Sequence, residues 1–265
     1  MFKDNVVIIT GASAGIGKEL AIQLAKQGAN LSLAARDINK LNELAHKCNK
    51  LGGKTIAIQT DVSIKEQCKN LIDKTVEEFG KIDTLINNAG ISMWVKFDEI
   101  KDIDLFERII KTNFLGSVYC TYFALPYLKK SKGRIVGVSS LTGLVGVPTR
   151  TAYAASKHAM AGFFDSLRIE LMNSGVTVTM IYPGFVATEV RERALGADGK
   201  PVGKSHLDES SVMSAELCAA QIIKAAEKRK RKLVMTTKAK VGLWMKLIAP
   251  ELVDKTSLKT IQKGN

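Results

Sequence analysis

Seven short runs of β-branched and aliphatic residues recur along the chain, with longer amphipathic stretches between them. The runs are NVVIIT (5–10), NLSLAA (30–35), KTIAIQT (54–60), IDTLIN (82–87), GRIVGVS (133–139), VTVTMIY (176–182) and KLVMT (232–236). Runs this short and this apolar read as strands covered on both faces. In the stretch from Gly15 to Gln27, Ile16, Leu20, Ile22 and Leu24 fall at helical spacing, and Gly28 and then Asn30 end the helix. The alternation predicts an α/β fold: a doubly wound domain with a mainly parallel, about seven-stranded sheet and helices on both faces. No repeat or low-complexity linker interrupts it, so residues 1–265 are expected to form a single domain.

Two segments break the rhythm. Residues 184–213, with RERALGADGKPVGKS, form a long stretch rich in glycine and charge between a strand and the next helix. Residues 238–265, beginning KAKVGLWMKLIAPELVDK, form a basic amphipathic C-terminal tail. The formal charge of +13 is concentrated at this end, where twelve Lys/Arg from Lys224 onward face only Glu227, Glu251 and Asp254. KAAEKRKRK reads as a solvated helix end leading into the last strand. The lysines around GLWMKLIAP also suit a peripheral membrane contact with Trp244 at the interface. No nucleic-acid partner is expected, because no recognition module accompanies the charge.

Cys48, Cys68, Cys120 and Cys218 are scattered, without a CxxC pair or a Cys/His cluster, so no metal site and no disulfide frame is expected. The chain enters its first apolar run at Asn5, leaving no room for a signal peptide, and no stretch reaches the roughly 18 apolar residues of a membrane span. The expected location is cytoplasmic.

In an open parallel sheet, ligands bind beyond the carboxyl ends of the strands, and the unusual residues collect there. TGASAGIG follows strand 1, with Gly11, Gly15 and Gly17 opening a helix whose first N–H groups suit a pyrophosphate. Arg36 follows strand 2 where an acid would hold a ribose hydroxyl; it reads either as a 2′-phosphate partner or as a solvated helix start. Asp61 and Val62 follow strand 3, where Asp61 or Ser63 could instead cap the next helix. Asn87-Asn88-Ala89-Gly90 follows strand 4, Ser139 and Ser140 follow strand 5, and PGFVAT (Pro183 to Thr188) follows strand 6.

TGASAGIG, NNAG, a serine thirteen residues before YAASK, and PGFVAT together resemble the short-chain dehydrogenase/reductase family, with their order and spacing kept from residue 10 to 188. The run from GRIVGVSSLTG to AYAASKHAMAGFFDSLRIEL is most similar to its hydroxysteroid-dehydrogenase-like branch. The resemblance implies a Rossmann-type NAD(P)-binding domain and a catalytic set of Asn113, Ser140, Tyr153 and Lys157. It implies cofactor contacts from Gly11, Ser13, Gly15, Ile16, Gly17, Arg36, Asp61, Val62, Asn87, Ala89 and Gly90. Further contacts are implied from Tyr153, Lys157, Pro183, Gly184, Val186 and Thr188. NADP(H) is favoured over NAD(H) by Arg36, although Ala14 stands where many NADP-binding relatives carry a second basic residue. The family also implies a mobile substrate lid over residues 184–213, whose glycines fit one, and self-association as a homodimer or homotetramer, through helices near 100–130 and 152–172.

The chemistry matches. Carbonyl reduction needs a hydride on carbon and a proton on oxygen, and a tyrosine beside a cation supplies the proton. Tyr153 and Lys157 share a helix face at i and i+4; Ser140 would position the substrate oxygen, and Asn113, by resemblance, a water leading from Lys157. GVSSL puts Leu141 where a hydrolase elbow needs glycine, and neither a Walker loop nor HExxH occurs. His46, His158 and His206 read as surface or supporting residues. The pocket segments 91–97, 141–150 and 184–213 are largely apolar near the chemistry, which predicts a hydrophobic small-molecule carbonyl or alcohol; Met93 and Trp94 suit core packing almost as well as substrate contact. A dinucleotide-binding regulator or scaffold acting through the basic tail is the alternative function.

Overall fold

All seven apolar runs become strands of one sheet. The structure, a computed structural model, describes residues 2–203 and 212–262. In chain order the elements are β1 (Val6–Thr10), α1 (Gly15–Ala25), β2 (Asn30–Ala35), α2 (Ile38–Asn49), β3 (Thr55–Gln59), α3 (Lys65–Phe79), β4 (Thr84–Asn87), α4 (Asp104–Ile110), α5 (Gly116–Ser131), β5 (Arg134–Val138) and α6 (Thr151–Glu170). They continue as β6 (Thr177–Tyr182), β7 (Val186–Ala187), β8 (Met213–Ser214), α7 (Ala215–Glu227), β9 (Lys232–Val234), α8 (Thr237–Ile248) and α9 (Pro250–Gln262). The sheet order is β3-β2-β1-β4-β5-β6-β9, and every pairing in it is parallel.

Strand alternation divides the core. Val7 and Ile9 face a layer with Leu31, Leu33 and the apolar sides of α1, α2 and α7. Ile8 and Ala34 face the opposite layer, built with α3, α5 and α6. Helix ends follow their residues: Asp37 caps α2 by accepting from the Lys40 N–H, and α3 stops at Gly80, whose φ of 71° is left-handed.

The chain lays down β1, β2 and β3 in one direction and then returns to place β4 on the other side of β1. Connections leaving the carboxyl ends of β1 and β4 therefore diverge and open a crevice. Thr10 and Asn88 tie its two edges. Thr10 Oγ1 accepts from the N–H groups of Asn88 and Ala89, both at 3.0 Å, and Asn88 Nδ2 donates to the carbonyls of Thr10 at 3.0 Å and Gly11 at 3.2 Å.

Three features depart from the sequence reading. Between α4 and α5 the helix widens into a π turn over Lys111–Leu115 that holds Asn113. The 184–213 segment carries the short parallel pair β7–β8, and its described part is tethered rather than free. Trp94 N–H donates to Leu195 O at 2.8 Å, Leu195 N–H to Ser92 O at 2.9 Å, and Lys101 N–H to Ala197 O at 2.9 Å. The remainder of the expected lid, residues 204–211, lies outside the described residues, as does His206. Finally, the basic run is not wholly solvated: the Arg229 guanidinium donates to the carbonyls of Lys132, Gly133 and Gly175, pinning loops at the sheet's amino-terminal end.

Candidate active site

The turn after β1 is built for close approach. Gly11 and Gly15 have φ of 66° and 51°, in the left-handed region that suits glycine. A Cβ on Gly17 would lie 2.2 Å from Gly11 O and 2.7 Å from Asn88 Nδ2, so only hydrogen fits. The helix it opens has neither a side-chain cap at Ala14 nor an acid in its first turn. That leaves N–H groups and positive potential facing the crevice, a combination that fits a dinucleotide pyrophosphate. Ser13 and Ile16 are half-buried on the same turn, and Thr188 reaches it from the far strand, with Cγ2 2.9 Å from where a Gly15 Cβ would sit.

Tyr153 and Lys157 lie on one face of α6, with Lys157 Nζ 5.8 Å from the phenol ring centre. Lys157 is 3% exposed, and Nζ donates to Val138 O at the end of β5 at 2.9 Å. Burial brings its pKa down to about 8. Burial also raises the Tyr153 pKa, opposed by the charge of Arg150 and by a hydrogen bond with Ser140. Arg150 is thus a cation acting on the phenol in addition to the Lys157 that the sequence pointed to.

Asn113 is fully buried and clamps the chain after β4. Its Oδ1 accepts from Ile91 N–H at 2.8 Å, while Nδ2 donates to Ile91 O and Ser156 Oγ, each at 2.9 Å. A point at the Gly90 Cβ position would lie 3.2 Å from Asn113 Oδ1 and 3.5 Å from Lys157 Nζ, so Gly90, Asn113 and Lys157 converge. The two serines part company. Ser140 turns toward Tyr153 and accepts from Thr142 N–H, whereas Ser139 Oγ donates to the Lys157 carbonyl.

The other expected residues are placed less uniformly. Asn87 is 2% exposed and its Nδ2 donates to Thr121 Oγ1 inside the fold, so only its backbone faces the crevice; the bracing amide is Asn88. Strand alternation sends neighbouring side chains to opposite faces, and the sequence does not say which. Asp61 Oδ1 accepts from Ser63 N–H and Oγ, a local turn rather than a helix cap, and Val62 packs against Gly116. Arg36 is exposed at the end of β2 with its carbonyl accepting from Gln59 Nε2. Ala89 and Gly90 line the switch point, and Pro183, Gly184 and Val186 enter the wall of the adjoining cavity. Met93 is core, packed with Leu105, Ile109 and Leu195.

That cavity has a volume of about 530 Å³. Ser140 and Tyr153 meet Leu141, Val145, Val147 and Phe185 in its wall. The tail contributes to it: Val241 and Met245 from α8 and Leu252 and Val253 from α9 form part of the same wall. Sequence reading missed this, and it missed Arg150, the single charge in the 141–150 segment. Among the described residues no His/Cys/Asp/Glu group could hold a metal.

A doubly wound sheet with a glycine cradle at its switch point, and a half-buried tyrosine with a buried lysine beside an apolar cavity, defines a dinucleotide-dependent oxidoreductase. Similarity to known proteins gives the family. The short chain dehydrogenase model matches residues 5–197, and the chain belongs to the short-chain dehydrogenase/reductase family, whose enzymes act on CH–OH and C=O groups. Several of its relatives carry hydroxysteroid-dehydrogenase names, which places it with that branch. It is 40% identical over 250 residues to an 11-beta-hydroxysteroid dehydrogenase-like 4A of Arabidopsis thaliana, covering 94% of this chain and 82% of that protein. It is 36% identical over 259 residues to a dehydrogenase/reductase SDR family protein 7-like of Dictyostelium discoideum, covering 96% and 80%. A short chain dehydrogenase/reductase from Burkholderia phymatum, solved with NAD, has the same fold at a TM-score of 0.84 and 24% identity, over 95% of each chain. An alcohol dehydrogenase from the archaeon Thermococcus sibiricus, solved with 5-hydroxy-NADP, gives 0.75 at 26% identity, over 87% of this chain and 95% of the other. A nicotinamide dinucleotide is thus the cofactor class.

Proposed function

We propose that the protein interconverts a carbonyl and an alcohol on a hydrophobic small molecule, with NADP(H) as cofactor and Tyr153 as the proton donor and acceptor. The observation that carries this is that Ser140 and Tyr153 stand in the wall of an apolar cavity beside the glycine cradle, with Lys157 behind the Tyr153 ring and next to Asn113 at Gly90. A bound nicotinamide supplies or takes the hydride. Gly11, Ser13, Gly15, Ile16 and Gly17 would hold the pyrophosphate, Ala89 and Gly90 the middle of the cofactor, and Val186 and Thr188 its nicotinamide end. Ser140 orients the substrate oxygen toward the phenol, which burial keeps protonated at neutral pH. Lys157, with a pKa of about 8, sits close enough to neutrality to pass a proton on toward Tyr153.

Two features support NADP(H). Arg36 is exposed where the adenosine ribose would lie, and the neighbouring acid, Asp37, is committed to the start of α2, where it accepts from Lys40 N–H at 3.1 Å. Neither residue then offers a carboxylate to a ribose diol. Arg36→Asp is expected to weaken NADPH binding by about 10-fold or more and to narrow the gap to NADH, since it replaces an attraction for phosphate by a repulsion. Titration of both cofactors checks this; an unchanged preference would remove Arg36 from the site. A panel of steroid, retinoid, acyl and small aldehyde carbonyls, followed by NADPH absorbance, tests the activity itself.

The scaffold alternative is less well supported, because α8 and α9 form part of the cavity wall instead of extending away from it. A peripheral contact with anionic membrane is compatible with that role. Trp244, Leu247 and Ile248 are 70%, 78% and 84% exposed beside Lys240 and Lys246. Four buried free thiols favour a reducing, cytoplasmic setting. Self-association is expected through α5 and α6, which expose Tyr122 and Ile169.

A further inference from the structure

The cavity wall beside Tyr153 holds a charged side chain to which sequence reading gave no role. Arg150 stands three residues before Tyr153, at the start of α6, and is only 6% exposed. Its guanidinium stacks 4.2 Å over the Trp94 ring, and Nη1 donates to Ser92 Oγ. One hydroxyl satisfies one of its five donors. Among the described residues no carboxylate pairs with it, although Arg150 and Ser92 both line the cavity.

The surroundings make this costly. Leu141, Val145, Val147 and Val190 line the same cavity, and a buried cation without an anion is destabilising. Burial is the main cause that brings the guanidinium pKa down to about 10; Tyr153 opposes the fall, and repulsion from Arg191, a second buried arginine in the same wall, adds to it. The backbone is also strained to keep Arg150 there. Thr149, a β-branched residue, has a φ of 65° and is held in that conformation by the Val95 N–H, which donates to its carbonyl at 3.2 Å. Strain, desolvation and like-charge repulsion gathered at one point of a binding cavity call for an anion.

We propose that Arg150 is the anion subsite of the substrate cavity. On this reading the substrate carries a carboxylate remote from its reacting carbonyl or alcohol. The carboxylate docks on the planar guanidinium fork, and the apolar body lies against Leu141, Val145 and the α8–α9 wall. Arginine matches a carboxylate with two parallel hydrogen bonds, a geometry lysine cannot reproduce. The proposal rests on this cavity being the substrate site. The competing account makes Arg150 a brace alone, joining the 92–94 loop to α6.

Octanoate and octanamide, equal in size and differing in charge, separate the two. Each is titrated calorimetrically into the full-length protein loaded with NADPH. Octanoate is expected to bind about 10-fold or more tightly than octanamide. In Arg150→Met the difference should shrink to about twofold while octanamide and NADPH affinities hold within about threefold; Arg150→Lys should retain part of it. Equal binding of the two probes to the wild-type protein overturns the proposal with no variant needed. So does an Arg150→Met protein that keeps the preference, or one that loses both probes and NADPH alike, the signature of a brace. Should Arg150→Met not fold, an unchanged preference in Arg150→Lys overturns it. Turnover of 9-oxodecanoate against its methyl ester gives the second readout, with kcat/KM expected to favour the acid. Absence of NADPH oxidation with every carbonyl, with the octanoate preference intact, would count against the catalytic reading and not against the subsite.

Discussion

Burial moves Tyr153 and Lys157 in opposite directions along the pH scale, and this sets what each can do. The phenol is pushed up and stays a proton donor; the ammonium is brought down to about 8 and becomes exchangeable. For Lys157 the folded pKa lies below the 10.5 of an ordinary lysine, so the unfolded chain binds more protons between about pH 8 and 10.5. Its burial penalty is therefore full below pH 8 and is relieved as pH rises through that window. Relative to Lys157→Met, the wild-type protein is expected to gain about 2 kcal/mol of stability between pH 7 and pH 9.5. Urea unfolding of both proteins at the two pH values checks this, and a difference that does not change with pH contradicts it. In the sequence, helix period put Tyr153 and Lys157 on one face, whereas Ser140 and Asn113 were pointed to by the family resemblance alone. The sequence hid Asn88 and Arg150. Asn88 differs from Asn87 only in which way it points, and Arg150 matters only once the folded wall puts it among aliphatic neighbours.

Each element at the site does one mechanical task. The glycine turn presents uncapped backbone N–H groups to the crevice, and the Asn88 amide holds that turn from β4 by bonding Thr10 O and Gly11 O. Asn88→Ala removes both bonds and leaves part-buried carbonyls without partners, a loss expected to lower stability by about 1–3 kcal/mol. NADPH affinity should fall with it, as read by denaturant midpoint and cofactor titration; intact affinity would show that the turn holds itself. Helices α8 and α9 form part of the cavity wall. Val253→Asp, which puts a charge in that wall, is expected to raise KM for an apolar carbonyl by about 10-fold or more and to leave NADPH binding unchanged. Steady-state kinetics read the outcome, and an unchanged KM would take α9 out of the substrate site. The seven sheet strands were legible because burial on both faces forces continuous apolar runs. The β7–β8 pair was not, since two residues pairing across more than twenty-five carry no periodic signal. The π turn around Asn113 likewise leaves the helical pattern on either side intact.

At the scale of the whole molecule, the sheet brings residues from β1 to β6 to one edge, and the basic end of the chain folds back over it. The tail reads in sequence as an appendage because lysines and apolar residues alternate in it. In the fold its inward side lines the cavity and its outward side exposes Trp244, Leu247 and Ile248. Charge and catalysis are thus neighbours, and no helix among the described residues is long and apolar enough to cross a membrane. The central claim, that Tyr153 transfers the proton in a cofactor-dependent carbonyl reaction, is tested most directly by comparing wild-type and Tyr153→Phe proteins at saturating NADPH with a carbonyl the wild-type protein reduces. The phenylalanine variant is expected to bind NADPH with unchanged affinity and to lose about 100-fold to 10,000-fold in kcat. A variant that binds NADPH and turns over at the wild-type rate would contradict it.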